Sequence, residues 1–139
     1  MFRKIIRIST SHEGEIIDLT PAVTGVVRES AVREGLVHLF VQHSTAALTT
    51  IEYEPGVLAD LARALSVLAP DNQEYAHNTK WGDGNGRSHV KAALVGPSLT
   101  VPVAEGKLCC GTWQQIVFLE LDVNAGRERT VICTVWGDR

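Results

Sequence analysis

Apolar and polar positions alternate over Phe2–Ile8 and again over Glu15–Leu19, separated by the polar run Ser9 to Gly14. That period predicts two strands, and their spacing predicts a hairpin. Thr20-Pro21 then offers an N-cap and a proline for the first helical position. Val23, Val26, Val27 and Ala31 follow at helical spacing, and Gly35 is placed to end the helix. Leu36–Gln42 is apolar on both faces, the pattern of a central strand covered from both sides. Thr45–Tyr53 reads as a threonine-rich strand. Pro55–Leu68 carries the stripe Val57, Leu58, Leu61, Ala62, Leu65 and Leu68, which predicts a helix stopped by Pro70.

The pattern then breaks. Residues 71–86 follow neither period and read as a long irregular loop, more often functional than idle. Ser88 or Asn85 is placed to cap a short helix holding His89, Lys91 and Leu94 and closed by Gly96-Pro97. Leu99–Val103, Trp113–Asp122 and Glu128–Trp136 are strands. The first two are joined by the Ala104-Glu105-Gly106 turn and the last two by Asn124-Ala125-Gly126. The sum is a single α+β domain over residues 1–139, with a mostly antiparallel sheet and about three helices.

Composition narrows the function classes. With 139 residues, 45% hydrophobic and 21% charged, the chain is long enough for one core and too apolar for disorder. A net charge of -3 with both signs scattered excludes a broad nucleic-acid-binding face. No apolar run approaches a membrane span, and the first residues lack the h-region of a secretory signal. Cys109, Cys110 and Cys133 form no CxxC clip and read as reduced core thiols. Together these predict a cytoplasmic protein with neither nucleic acid nor membrane as partner.

Candidate chemistry concentrates in Ala76–Gly96. His43 at a strand end, His77 in the loop and His89 near a helix start offer imidazoles from three elements. They suit a shared divalent metal with an open position, or general acid–base work. For any one of them alone a histidine satisfied by backbone is the favoured reading, and it is the reading given to His12 and His38. Gly82, Gly84 and Gly86 let backbone amides approach an anion at the next helix start, and Lys91 would add a point charge. A flexible turn is the plainer alternative. Ser44 and Thr45 beside His43 lack a nucleophile elbow and read as hydrogen-bonding hydroxyls. Glu52 and Glu120 are acids inside apolar strands. Glu120 shares a face with Gln114, Ile116 and Phe118 and is a metal ligand, a subunit contact or, most commonly, the partner of Arg127 or Arg129.

In order along the chain stand His43-Ser44-Thr45-Ala46-Ala47-Leu48-Thr49, Glu52, GRSHVKAALVG over 86–96, Val101-Pro102-Val103, Gly106-Lys107-Leu108, Gly111-Thr112-Trp113-Gln114 and Glu120. In these the chain resembles the YjbQ-like family, whose members are named secondary thiamine-phosphate synthase. The resemblance covers nearly the whole chain. It implies a compact α+β fold with a mixed, mostly antiparallel sheet curled into a half-barrel, and assembly as a homotrimer. It implies a site near the subunit boundary around His43, His89 and the Gly111–Gln114 turn. It further implies joining of an aminopyrimidine diphosphate to a thiazole phosphate with release of pyrophosphate.

On that expectation His43, His89 and Lys91 are catalytic. Ser44, Thr45, Asn85, Gly86, Arg87, Ser88, Gly111, Thr112, Trp113 and Gln114 bind the phosphorylated ligand, with Trp113 stacking on a flat heterocycle. His43, His77 and His89 are the metal candidates. The chemistry leaves room for Mg²⁺ or another divalent metal and for no organic cofactor. Relatives carry other residues where this chain has Ile51 and Tyr53, and many carry histidine at Arg87, which offers a metal no lone pair but suits a phosphate. The alternative from another class is a non-catalytic trimeric binding protein for a phosphorylated metabolite or divalent metal.

Overall fold

The valine-rich faces of the strands decide the architecture. The computed structural model describes residues 1–139, in eight strands and four helices. Strands β1 (Phe2–Ser9), β3 (Glu34–Val41), β5 (Ser98–Ala104), β6 (Lys107–Leu108) and β8 (Glu128–Asp138) form a five-stranded sheet in the order β1-β8-β3-β5-β6. Strands β2 (Ile16–Asp18), β4 (Ala46–Ile51) and β7 (Gln115–Glu120) form a second sheet in the order β2-β7-β4. Every pairing is antiparallel. The sheets curl around one core as a half-barrel. Val37, Leu39, Val41, Val131, Cys133 and Val135 from the large sheet meet Ala46, Leu48, Ile116 and Phe118 from the small one.

Helix α1 (Thr20–Ser30) plugs that core with Val23, Val26 and Val27. Helices α2 (Pro55–Leu68) and α4 (Gly86–Val95) cover the other face of the small sheet, where Leu65 and Ala92 pack on Ala47, Val117, Leu119 and Leu121. Strand β7 is therefore the doubly covered strand. The expectation of that role for Leu36–Gln42 fails: β3 is central, but Leu36 and Phe40 stand 46% and 41% exposed on an outer face without helices.

Other departures share one cause, pairing between segments far apart in sequence. The expected hairpin of the first two strands does not form, because β1 pairs with β8 and β2 with β7. The Glu105 turn joins β5 only to the two-residue β6, and β7 does not pair with β8. Helix α1 ends at Ala31, with φ of 59°, where the Ser30 hydroxyl donates to the Val27 carbonyl and accepts from the Val32 amide. Gly35 lies in β3. The Thr20 hydroxyl caps nothing in its own helix and instead accepts from the Ile116 amide at 2.9 Å. Helix α2 keeps its expected bounds, with Glu54 as N-cap accepting from the Gly56 and Val57 amides at 2.8 Å each. Its Leu68 is 65% exposed, outside the apolar seam. The irregular stretch holds a fourth helix, α3 (Ala76–Trp81), ended by Gly82 at φ 66°. No helix is long and apolar enough to cross a membrane. Of the three thiols only Cys133 is buried, whereas Cys110 is half-buried and Cys109 exposed.

Candidate functional site

Strand β3 delivers the chain to His43, and the Gln42–Thr45 link turns it back into β4. Helix α4 runs against β4, which brings His89 to the same place. His43, Ser44, Ala46, His89, Ala92, Ala93 and Pro97 line one cleft of about 240 Å³. Two imidazoles far apart in sequence thus face a common space with apolar walls.

The two rings differ in what holds them. The Thr130 amide of β8 donates to His43 Nε2 at 2.9 Å. His43 Nδ1 has no partner in the chain and is not among the buried orphaned atoms, so it opens to the cleft. Burial first, then the nearby Arg129 and Arg127, push the His43 pKa below its ordinary value, against an opposing effect of Glu120. Neither ring nitrogen of His89 has a hydrogen-bond partner or is a buried orphan. Its ring packs on His77, centroids 4.5 Å apart and planes 46° tilted. His77 Nδ1 lies 3.3 Å from Asp83 Oδ1, too poorly aligned for a hydrogen bond, and is buried without a partner.

Behind His43 runs a buried charged network. Arg129 is fully buried, and its Nε donates to Glu120 Oε2 at 2.8 Å while Nη2 donates to Glu120 Oε1 and, at 3.0 Å, to Thr45 Oγ1. The Thr45 hydroxyl donates to Asp122 Oδ2 at 2.8 Å. Asp122 also accepts from Asn85 Nδ2 at 3.0 Å and from Arg127 at 3.1 Å. Asn85 Oδ1 accepts from the Val123 amide at 3.0 Å, which ties the start of α4 to the chain after β7. Burial alone would raise the Glu120 pKa, but the Arg129 guanidinium holds it below the ordinary value. Asp122 is held down likewise, by the Asn124 amide, Asn85 and Thr45. The expected ion pair of Glu120 is therefore with Arg129, and Thr45 and Asn85 bond to this network.

Several expected ligand residues are placed elsewhere. Lys91 lies two residues beyond His89, about 200° around the helix. It lines a separate cavity of about 220 Å³ with Glu13, Ser66 and Asp71, so within one chain it does not reach the His43 cleft. Arg87 is held by Glu13 at 2.9 and 3.0 Å and lies 3.0 Å from Asp71, a clasp between the β1–β2 turn, the end of α2 and the start of α4. The amides of Asn85 and Gly86 are taken by the Asp83 and Asn78 side chains, so those two form no anion cradle. Gly86 is needed for another reason: a Cβ there would lie 2.4 Å from Tyr75 Cβ. Ser88 is buried with an unpartnered hydroxyl.

Gly111, Thr112, Trp113 and Gln114 stand at the far end of β4, beside Thr50, Ile51 and Glu52. Six residues of β4 separate them from the cleft, roughly 17 Å of strand. Within one chain the turn and the histidines do not meet.

Within one chain the donors assemble no metal cage. His43 Nε2 is occupied, Glu120 and Asp122 are bonded to arginines, and no group of three His, Cys, Asp or Glu side chains lies close enough to share an ion. The residues present do not fit a Mg²⁺ cage or a three-histidine centre. Sequence reading missed Asp122, at the end of a strand pattern, and the Thr130 amide, which has no side-chain signature.

The sequence and the overall fold are shared with known proteins. A UPF0047 protein from Methanothermobacter thermautotrophicus is 38% identical over 137 residues, covering 99% of this chain and 93% of that one. A YbjQ-like protein of unknown function from Sulfolobus solfataricus P2 superposes with TM-score 0.93 at 33% identity, covering 99% and 97% of the two chains. A hypothetical protein from Aeropyrum pernix K1 does so at 0.90 and 30%, covering 99% and 100%. The model of the "UPF0047 protein YjbQ-like" family matches residues 4–138, and the chain belongs to that family.

Proposed function

We propose that the His43–His89 cleft is the active site of a thiamine-phosphate synthase-like enzyme, joining an aminopyrimidine diphosphate to a thiazole phosphate. In that reaction a C–O bond to the diphosphate breaks, pyrophosphate leaves with the electron pair, and the thiazole nitrogen forms the new C–N bond. Such chemistry asks the protein for donors to the departing oxygens more than for a nucleophile. The observation that carries the reading is the pair of imidazoles with unengaged nitrogens on one cleft, backed by a fixed charged network. His89 is the group free to give a proton to the leaving oxygen. His43 and Ser44 offer further polar contacts, while Ala46, Ala92, Ala93 and Pro97 seat a flat ring.

We read the working form as a homotrimer whose neighbouring copy completes the site. A cleft of about 240 Å³ is small for two phosphorylated heterocycles, since ligand pockets usually fall at roughly 300–1,000 Å³. Trp113, 73% exposed at the other end of β4, is then available to a neighbour's cleft. The outer sheet face supports self-association, because Leu36, Phe40 and Trp136 stand uncovered on it among the polar His38, Thr100 and Arg3.

The test is formation of thiamine phosphate from both phosphorylated precursors in buffer containing Mg²⁺, read as fluorescent thiochrome. The native protein gives product and His89→Ala loses about a hundredfold or more. Equal product from both would remove the cleft from the chemistry. Ligand-dependent thermal stabilisation without product would favour the non-catalytic binding protein.

A further inference from the structure

We propose that His43 is a fixed, neutral hydrogen-bond donor that presents Nδ1–H to an acceptor oxygen of the bound ligand, and is neither a metal ligand nor the general base. The inference deepens the reading above and rests on the cleft being a ligand site.

Its basis is the bond at the far side of the ring. The Thr130 amide is a permanent donor, so the atom it meets at 2.9 Å, His43 Nε2, must offer a lone pair. In a neutral imidazole the proton then resides on Nδ1. A proton on Nε2 would set two N–H groups against each other, and that proton is what metal ligation or base action through Nδ1 would require. Thr130 lies in β8, in register with Arg7 of β1, so the amide is not free to turn away. The charges around the ring act in the same sense. Arg129 and Arg127 both disfavour an imidazolium, and Glu120, which would favour one, is bonded to Arg129. Nδ1 meanwhile has no partner in the chain and opens to the cleft. A donor of this kind selects a ligand that brings an oxygen acceptor, and a phosphoryl oxygen fits. It leaves proton transfer to His89, whose two nitrogens are both free.

The experiment is ¹⁵N–¹H long-range correlation NMR of the histidine rings in the native protein at neutral pH, alone, with equimolar Zn²⁺, and with inorganic pyrophosphate as probe. Expected is a pyrrole-type Nδ1 and a pyridine-type Nε2 for His43, unmoved by Zn²⁺, with the Nδ1–H signal shifting as pyrophosphate saturates. The opposite tautomer, an imidazolium, a Zn²⁺-induced shift at His43, or no response to pyrophosphate would each overturn the proposal. These outcomes need no turnover, so the inference can fail while thiamine-phosphate formation stands, and the reverse. In the activity assay His43→Asn restores an N–H donor near the δ position and keeps within about tenfold of native activity. His43→Ala loses about a hundredfold. Equal loss in both variants would overturn the donor role.

Discussion

The two ends of β4 carry the two parts of the family resemblance and are built on opposite plans. At the Ala46 end the charges are paired: fully buried Arg129 by Glu120, and buried Asp122 by Thr45, Asn85 and the half-exposed Arg127. At the Ile51 end Glu52 makes no side-chain hydrogen bond, Tyr53 is 45% and Trp113 73% exposed, and the cavity beside them is an open space of about 460 Å³. Gln114 anchors the turn there, its amide donating to Thr50 Oγ1 at 3.0 Å and its carbonyl accepting from the Gly111 amide at 3.1 Å, and the Tyr53 hydroxyl donates to the Ile16 carbonyl at 2.7 Å. The first end is preorganised by a single chain. The second holds recognition groups without an enclosure. Fixed dipoles belong where charge develops, while exposed aromatics belong where another surface arrives.

The largest effect should come from breaking the first end. Arg129→Met leaves Glu120 buried and unpaired, so unfolding free energy should fall by about 3–5 kcal/mol. Urea unfolding at fixed protein concentration measures it. Arg129→Met combined with Glu120→Met should recover much of that loss, because no lone charge remains. A double variant as unstable as the single one would show that the network, and not the isolated charge, holds this end together.

A smaller effect concerns pH. The folded-state pKa of His43 is depressed below 6.5, so the unfolded chain takes up that proton first. Its contribution to stability is fully present above about pH 6.5 and is lost as pH falls toward the folded value. Glu120 and Asp122, also depressed, contribute above their ordinary values of 4.5 and 3.8 and lose that contribution below them. Stability should therefore decline in two stages on acidification, and His43→Asn should flatten only the first. A first stage unchanged in that variant would assign it to another group.

The contrast also explains what the sequence made legible. Alternation along β7 placed Glu120 on the face of Ile116 and Phe118, and an acid there needs a base, so its pairing was readable. Proline and apolar spacing located α2 to the residue. Partners were not readable, because β1 finds β8 across the whole chain and Arg87 finds Glu13 from 74 positions away, and nothing local encodes either. Helix α3 was hidden by its brevity and polar sequence. The separation of Lys91 from His89 did have a signal: residues two apart on a helix face opposite ways, and that period alone puts them in different cavities. The Thr130 amide had none, since the atom that fixes His43 belongs to the backbone.

The smallest effect on the chain itself belongs to the second end, and there the comparison is sharpest. Trp113 is mostly exposed and its side chain makes no hydrogen bond, so Trp113→Ala should change unfolding free energy by no more than about 0.5 kcal/mol if the chain stands alone. A tryptophan seated in a neighbour's cleft behaves otherwise, because buried aromatic anchors carry a large share of an interface's energy. Sedimentation over a dilution series should then show the variant dissociating at higher concentration than the native protein. Product formation should fall with dissociation while the ring tautomer of His43 stays unchanged. Loss of activity without change of mass would make Trp113 a ligand contact rather than an anchor. Identical mass and activity would leave the exposed end of β4 outside the site and confine the chemistry to the cleft that one chain builds.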